Sequence, residues 1–418
     1  MKSDSIPKAA ELTRRTVLGA VVCTLIGCGG GGTADSAATV SSTGSGGGSG
    51  GSGGASGGTG SPSSGSTTTA GAPGTGGTGV TSHGSISAFG SVVVNGIHYN
   101  ELTARISLDG VDASPSALRL GMVATVQGTR DATALLGTAE RIDVWSIGQG
   151  DMTQVSTQGS TVQFSVSNLS IVADVNTVLD GVSSLSALQP GVRVAVWGLQ
   201  TNTSATQWRA TRVAVTSNSR VVTTGLLSNA SGSPVINGWR LDGDLPDGWK
   251  YGQLMRAQGA LSAQGDTLKL DSCIPQDFTA QVGSGQEVEV EGVITSVPQG
   301  GRFQMGTVTI DASALPAAAS LTLGMEVEVK GTLSNGVLLA RELEVEDESK
   351  PNEVEIEARI DQFTSLSNFV LRGQRCDASD VQTIEGGQAS DLKVGVKVKV
   401  KGTRAGDTLM VSKIEFED

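Results

Sequence analysis

The feature that most constrains this fold is a short phrase that recurs five times: a glycine, a run of alternating apolar and polar residues, and a second glycine. The copies are 121–128, 191–198, 252–259, 324–331 and 395–402. Their leading glycines, Gly121, Gly191, Gly252, Gly324 and Gly395, recur at intervals of 70, 61, 72 and 71 residues. A spacing this regular indicates a small structural unit that is used in series.

Alternation with a period of two predicts a β-strand that has one buried face and one solvated face. In the last copy, three valines alternate with three lysines between residues 396 and 401. The pairs Asn95-Gly96, Asn237-Gly238 and Asn335-Gly336 predict tight hairpin turns, because asparagine and glycine tolerate positive φ. We therefore predict an all-β chain with five or six short strands in each unit.

The size of the unit favours a closed or partly open β-barrel, since closure removes exposed strand edges. We predict about five tandem small OB-like β-barrel modules, with a small β-sandwich as the alternative. A unit of about 70 residues lies near the lower size limit for independent folding, so neighbouring units are expected to pack on each other.

The repeats and the composition divide the chain into seven segments. They are a signal peptide at 1–27, a lipidated cysteine with a disordered Gly/Ser-rich linker at 28–81, and β-modules at 82–147, 148–219, 220–284 (the divergent third), 285–350 and 351–418. Residues 29–80 are expected to be disordered, because they offer almost no apolar surface to offset the entropy of ordering.

The first 28 residues carry a targeting pattern. A basic stretch ends at Arg14 and Arg15, a short apolar run follows from 17 to 26, and Leu25, Ile26, Gly27 and Cys28 come at its end. These last four residues resemble the lipobox of bacterial lipoproteins. The resemblance implies that Cys28 receives a diacylglyceryl group, becomes the mature N-terminus and anchors the chain to a membrane.

Residues 13–18 also resemble a twin-arginine export signal, with Val17 where an aromatic residue is usual. A general-secretion signal is the alternative. Gly29 follows the cysteine, and by analogy with enteric sorting rules this favours the outer membrane. We expect an exported, lipid-anchored protein on the periplasmic or outer surface of that membrane.

Several phrases together resemble one family of modules. These are 84–88 in the first strand, the Val-Asn-Gly hairpin at 94–96, the glycine-bracketed phrase, and a closing strand such as 340–345. They resemble the bacterial domain of unknown function numbered 5666. Units one, four and five fit best, and units two and three keep only the frame. The resemblance implies a module that is often carried by lipoproteins, and it implies no activity.

The charge and the metal-ligating residues exclude several classes of function. The formal net charge is -12, so binding to the phosphate backbone of nucleic acids is disfavoured. The chain has two histidines, His83 and His98, and four cysteines. We predict no metal, no cofactor and no catalytic constellation, and we leave open whether Cys273 pairs with Cys376.

The divergent third unit holds the candidate ligand face: Trp239, Trp249 and Tyr251. Aromatic side chains on a barrel can stack sugars or bases, and the alternative is that they fill the core. In the same unit, three aspartates between 242 and 247 fit either a calcium loop or a plain acidic turn. The acidic run 342–357 fits a solvated strand face and linker, with cation binding as the alternative.

These features favour an envelope lipoprotein that acts as a non-enzymatic binding, adhesive or scaffolding module for an unknown protein or glycan. Two alternatives stay open. One is a hydrolase that acts on cell-envelope polymers through paired carboxylates. The other is oligonucleotide or oligosaccharide binding through the OB-like barrels.

Overall fold

The structure, a computed structural model, describes residues 78–131, 135–346 and 353–417. These residues fall within one compact unit, Ala70–Asp418. They form β-strands and five short 3₁₀ turns, so the all-β prediction is confirmed. The described part has no helix long and apolar enough to cross a membrane. The predicted export and lipidation residues (Arg14, Arg15, Leu25, Ile26, Gly27 and Cys28) lie outside the described residues.

The strands group into five barrels, defined here by their residue ranges. Barrel 1 (78–144) contains β1 (Thr78–Ala88), β2 (Val92–Val94), β3 (Ile97–Asn100), β4 (Arg105–Leu108), β5 (Val111–Ala113), β6 (Val123–Arg130) and β7 (Leu136–Val144). Barrel 2 (148–215) contains β8 (Gly148–Asp151), β9 (Thr153–Gln158), β10 (Thr161–Val166), β11 (Leu169–Ala173), β12 (Val178–Asp180), β13 (Arg193–Gln200) and β14 (Gln207–Val215).

Barrel 3 (221–275) contains β15 (Val221–Leu226), β16 (Ser228–Ala230), β17 (Ser233–Ile236), β18 (Trp239–Asp242), β19 (Leu254–Leu261) and β20 (Thr267–Pro275). Barrel 4 (287–345) contains β21 (Glu287–Val293), β22 (Arg302–Met305), β23 (Val308–Asp311), β24 (Glu326–Ser334) and β25 (Val337–Val345). Barrel 5 (353–416) contains β26 (Glu353–Ser365), β27 (Asn368–Leu371), β28 (Gln374–Asp377), β29 (Thr383–Glu385), β30 (Lys397–Ala405) and β31 (Thr408–Phe416). The 3₁₀ turns are Pro115–Ala117, Leu185–Ala187, Phe278–Gln281, Pro316–Ser320 and Ala389–Asp391.

Each barrel closes in the same strand order. In barrel 1 the order is β1-β2-β3-β7-β6 and back to β1, with β3 and β7 parallel and the other pairs antiparallel. Barrel 5 repeats this order with β26-β27-β28-β31-β30. In barrels 2 and 3 the first strand is interrupted once, at Met152 and at Leu227. The predicted small OB-like barrels are therefore confirmed.

The leading glycine of each phrase has a backbone role that the structure repeats five times. All five adopt φ between 73° and 88°, a region that side chains disfavour. Each glycine N–H donates to a carbonyl in its own barrel's first strand, or of the residue that interrupts or directly follows that strand. The acceptors are Ile86 (from Gly121, 2.9 Å), Met152 (from Gly191, 2.8 Å), Leu227 (from Gly252, 2.7 Å), Ile294 (from Gly324, 2.9 Å) and Ile360 (from Gly395, 2.9 Å). In every barrel the same first-strand residue donates back to the residue after the glycine.

The second glycine of each phrase sits where the strand pairing slips by one residue. A Cβ at this position would lie 1.9 to 2.2 Å from a carbonyl oxygen of the neighbouring strand. The five positions are Gly128, Gly198, Gly259, Gly331 and Gly402. The bulge thus needs glycine for lack of space and not for its φ.

Two local predictions can be compared with the strands directly. The Asn-Gly pairs are type I′ turns, since Asn95 and Gly96 have φ of 51° and 69°, and the other two pairs are similar. The predicted linker end at 81 is wrong, because β1 begins at Thr78. Residues 78–81 carry no strand signal of their own, and they are ordered by antiparallel pairing with β6, while β21 adds parallel pairing from Val80 onward.

Arginine side chains join neighbouring barrels. Fully buried Arg256 is one example: its Nε donates to the Ser146 carbonyl at 2.8 Å, and its guanidinium pairs with Asp109 at 2.8 Å. Such a buried cation is tolerated because charge and hydrogen bonds compensate it. Among the described residues, such contacts are made by Arg130 (barrel 1 to 4), Arg209 (2 to 4), Arg212 (2 to 1), Arg256 (3 to 1), Arg372 (5 to 1) and Arg404 (5 to 2).

The two glycine roles predict different costs on substitution. Gly331→Ala should destabilise the chain by about 3 kcal/mol, because its Cβ meets the Leu339 carbonyl. Gly324→Ala has open space around its Cβ and should cost about 1–2 kcal/mol, from positive φ alone. Gly79→Ala, whose nearest neighbour is 4.0 Å away, is the control. Chemical denaturation measures all three, and equal stabilities would contradict both glycine roles.

Candidate functional site

The structure separates the three aromatic residues of the candidate ligand face. Trp239 lies in the core of barrel 3 and is 9% exposed. Trp249 packs against the edge of that core, and Tyr251 is 46% exposed. The last two rings meet edge to face at 5.0 Å, and Asn229 donates to the Tyr251 hydroxyl at 2.9 Å. The structure therefore brings two of the three together in a loop and places the third inside the barrel.

The other singled-out residues also have definite places. Asp242, Asp244 and Asp247 are exposed, and no group of three or more His, Cys, Asp or Glu in the described ranges is arranged to hold a metal ion. Cys273 and Cys376 are both buried and free, in barrels 3 and 5. Part of the acidic run, 347–352, lies outside the described residues.

A cavity with a partly apolar lining lies between several barrels, so its residues come from distant parts of the sequence. This apolar cavity has a volume of about 140 Å³ and is walled by barrels 1, 2 and 4, by the end of barrel 3 and by the turn before barrel 4. Its aromatic walls are Trp145, Trp208 and Phe278. Aliphatic walls include Leu199, Leu254, Val293 and Val308.

One polar group of the apolar cavity is His83 on β1. Its ring stacks on Phe278 with centroids 4.4 Å apart and planes 8° from parallel, and its Nδ1 lies 2.9 Å from the Thr125 hydroxyl. Burial lowers the pKa of His83 to about 4, because an imidazolium would lose its hydration there. His83 is therefore neutral at physiological pH and adds a polar but uncharged wall.

A second polar group of the apolar cavity is Thr224 on β15, which is 2% exposed. Its Oγ1 is buried and has no hydrogen-bond partner among the described residues. The neighbouring Thr223 differs, since its Oγ1 donates to the Ser167 carbonyl at 2.9 Å and accepts from Asn237 at 2.8 Å. An unpaired buried hydroxyl is costly in a folded protein, so Thr224 marks a position where a partner is expected.

A second space, the acidic cleft, has a volume of about 330 Å³ and lies between barrels 1, 2, 4 and 5. Its charged lining residues are Asp174, Glu291, Glu326, Glu328, Glu346, Glu353, Arg209 and Arg404. Like charges meet there, because Glu291 on β21 stands directly opposite Glu328 on β24. Such cross-strand pairs of carboxylates destabilise a sheet unless a proton or a cation intervenes.

Burial and repulsion act together on these glutamates. Burial, helped by the charge of Glu326, raises the pKa of Glu291 to about 8. Burial, helped by Glu289, likewise raises the pKa of Glu328 to about 7. Glu291 also accepts from the Ser85 N–H at 2.8 Å and the Ser85 hydroxyl at 3.0 Å, which opposes the shift.

Glu289, two residues before Glu291, shows the contrast. It is fully buried but lies between Arg130 at 3.1 Å and Lys330 at 2.6 Å. Burial raises the pKa of Glu289 as well, and both bases oppose that shift, so this acid is held by ion pairs within the contact between barrels 1 and 4. Glu289 and Glu291 lie on the same face of β21, and they differ in their partners: two bases pair with Glu289, whereas Glu291 lines the cleft.

Comparison with known proteins finds a family model that matches three of the five barrels. Three segments, 149–214, 291–344 and 357–415, match the family model described as "Domain of unknown function (DUF5666)". They fall in barrels 2, 4 and 5, so the expected resemblance of units four and five is confirmed. Unit two, which was expected to fit less well, also matches, whereas unit one, which was expected to fit well, is not among the matched segments. A search of curated proteins finds no match.

The raised pKa values predict a pH dependence of stability. An acid whose folded pKa is raised stabilises the fold fully below its unfolded pKa, and this stability is lost as pH rises through the folded pKa. The melting temperature should therefore fall between about pH 5 and pH 9. Glu291→Gln should flatten this fall, whereas Glu342→Gln, at an exposed position of barrel 4, should not. Parallel profiles for all three proteins would contradict the raised pKa of Glu291.

Proposed function

We propose that this chain, three of whose barrels match the model of a domain family of unknown function, is a lipid-anchored, non-enzymatic binding protein of the bacterial envelope. Its ligand is a small uncharged molecule with one ring, such as a neutral monosaccharide, bound in the apolar cavity. The observation that carries the proposal is the unpaired Thr224 hydroxyl in a cavity that has aromatic walls.

The size and chemistry of the apolar cavity support this ligand class. Its volume of about 140 Å³ is close to that of a protein cavity that holds one benzene molecule, roughly 150 Å³. Trp145, Trp208 and Phe278 offer flat surfaces of the kind that stack on sugar or aromatic rings. Because His83 is neutral and the charged side chains that line the cavity, Asp143, Asp277 and Glu291, are all acidic, an uncharged ligand fits it better than an anion does.

The location rests on the sequence pattern around Cys28. Acyl chains on this cysteine would anchor the chain, at about 0.8 kcal/mol for each buried methylene. The Gly/Ser-rich stretch that follows would keep the barrels clear of the lipid surface.

Metabolic labelling tests the anchor. In a bacterial host that is fed an alkyne-labelled fatty acid, the chain should take up label and fractionate with the outer membrane. Cys28→Ser should abolish labelling, while Cys23→Ser should leave it unchanged, because Cys23 lies within the apolar run of the signal. Full labelling of the Cys28→Ser protein would contradict the assignment.

Calorimetric titration tests the binding site, using the mature chain with Cys28→Ser for solubility. A panel of neutral monosaccharides and single-ring aromatic compounds should contain a binder. Thr224→Val should weaken its binding about tenfold, by about 1.4 kcal/mol for one lost hydrogen bond. This variant should melt no lower than the parent, since the hydroxyl that it removes is unpaired in the described structure.

The neighbouring threonine provides a matched control. Thr223→Val removes the bonds to Ser167 and Asn237, so it should lower the melting temperature and leave ligand affinity unchanged. If no member of the panel binds, or if Thr224→Val and Thr223→Val weaken binding equally, the proposed site is wrong. Hydrolysis of envelope polymers and binding of oligonucleotides stay predictions that neither cavity specifically favours.

A further inference from the structure

The acidic cleft carries more negative charge than its own bases balance. Within it, Arg209 pairs with Glu326, and Asp174 interacts with Arg404. Glu353 reaches outward to Lys401 at 2.9 Å. Glu291, Glu328 and Glu346 remain, and burial raises the pKa of each. A cationic group placed among them would allow these carboxylates to ionise.

A buried acceptor in the acidic cleft has no donor in the described structure. Asn95, in the first hairpin turn, is 8% exposed and lines the cleft. Its Nδ2 donates to the His83 carbonyl at 3.3 Å, while its Oδ1 has no hydrogen-bond partner in the described ranges. A Cβ on Gly84 would lie 2.1 Å from this Oδ1 and 2.8 Å from Glu291 Oε2. Both acceptor oxygens therefore lie beside Gly84 and no more than about 5 Å apart, within reach of one ammonium group with its three donors.

A different part of the acidic cleft offers buried donors. Arg404 of barrel 5 donates from Nη2 to the Asn176 carbonyl of barrel 2. Its Nε and Nη1 are buried and have no hydrogen-bond partner among the described residues. Burial lowers the pKa of Arg404 to about 10, so the guanidinium is still a cation at neutral pH. Its free donors match a carboxylate, which is the usual partner of a buried guanidinium.

We propose that the acidic cleft is a second binding site, which takes a small zwitterion of the amino-acid class. The ammonium group lies between Asn95 Oδ1 and the facing glutamates Glu291 and Glu328, and the carboxylate accepts from Arg404. A metal ion fits less well, because no three acidic or histidine side chains of the described residues are grouped to bind one. The volume of about 330 Å³, more than twice that of the apolar cavity, accommodates such a ligand.

Titration of the mature Cys28→Ser chain with single compounds tests whether the cleft binds both charged groups of an amino acid. L-Alanine, L-serine and L-lysine are compared with n-propylamine, which has only the ammonium group, and with propionate, which has only the carboxylate. At least one amino acid should bind at least tenfold more tightly than propylamine or propionate does. Each of these two compounds lacks one of the charged groups that form hydrogen bonds in the cleft. Equal affinity for propylamine, or no amino-acid binding, would overturn the proposal.

Proton release distinguishes this mode from nonspecific association. Binding of the ammonium should ionise Glu291, so at pH 7 the heat of binding should depend on the ionisation enthalpy of the buffer. The charged groups that line the cleft with Glu291 are Glu326 and Glu328 on β24, Glu346 after β25, Asp174 and Arg209 from barrel 2, and Glu353 and Arg404 from barrel 5. Glu291→Gln should reduce both the proton release and the affinity. Binding that is independent of buffer would contradict this role for Glu291.

Variants that change only one of the two sites distinguish amino-acid binding in the acidic cleft from the proposed binding of a single-ring ligand in the apolar cavity. Arg404→Gln should weaken amino-acid binding at least tenfold, and Arg404→Lys, which retains the charge, should recover part of it. Neither should change binding in the apolar cavity, which Arg404 does not line. Thr224→Val should leave amino-acid affinity unchanged, because Thr224 does not line the cleft. If Arg404→Gln binds amino acids as the parent does, the proposed carboxylate site is wrong.

Discussion

Every barrel depends on a reciprocal pair of backbone hydrogen bonds between its first strand and the segment that begins with the leading glycine. The pair fastens the start of one central strand to the first strand, and the positive φ of the glycine turns the chain into that strand. The second glycine then provides the bulge that lets the same strand follow the curve of the barrel. Because both roles belong to the backbone, side chains elsewhere can diverge while the barrel persists, as barrels 2 and 3 show.

Contacts between barrels create the two candidate sites. Small barrels have convex surfaces, so neighbours that touch along strands and arginine contacts leave spaces where three or four of them meet. Arg209 and Arg404 each join two barrels and also line the acidic cleft. The same two side chains therefore hold barrels together and supply positive charge to the cleft. An acidic chain thus places some of its few cations where they hold barrels together.

The fold could be predicted from sequence because its signals are local. Alternation at 396–401 fixes which side chains face inward, and Asn95-Gly96 fixes a hairpin turn with positive φ. The sites could not be predicted, because they depend on distant residues. Thr224 and Asn95 look like ordinary strand and turn residues until the barrels around them are placed. Trp239 was predicted to lie on the ligand face because it is a large aromatic residue. It lies in the core instead, because its position on the strand points inward.

Residue-resolved hydrogen exchange tests most directly the central claim, that the chain uses one barrel five times and that the leading glycine of each phrase bonds to its first strand. The account predicts that the amides of Gly121, Gly191, Gly252, Gly324 and Gly395 are all strongly protected, since each N–H is bonded to a first-strand carbonyl. Protection in barrels 1, 4 and 5 combined with free exchange at Gly191 and Gly252 would contradict it, because the divergent barrels would then lack the bond that defines the others.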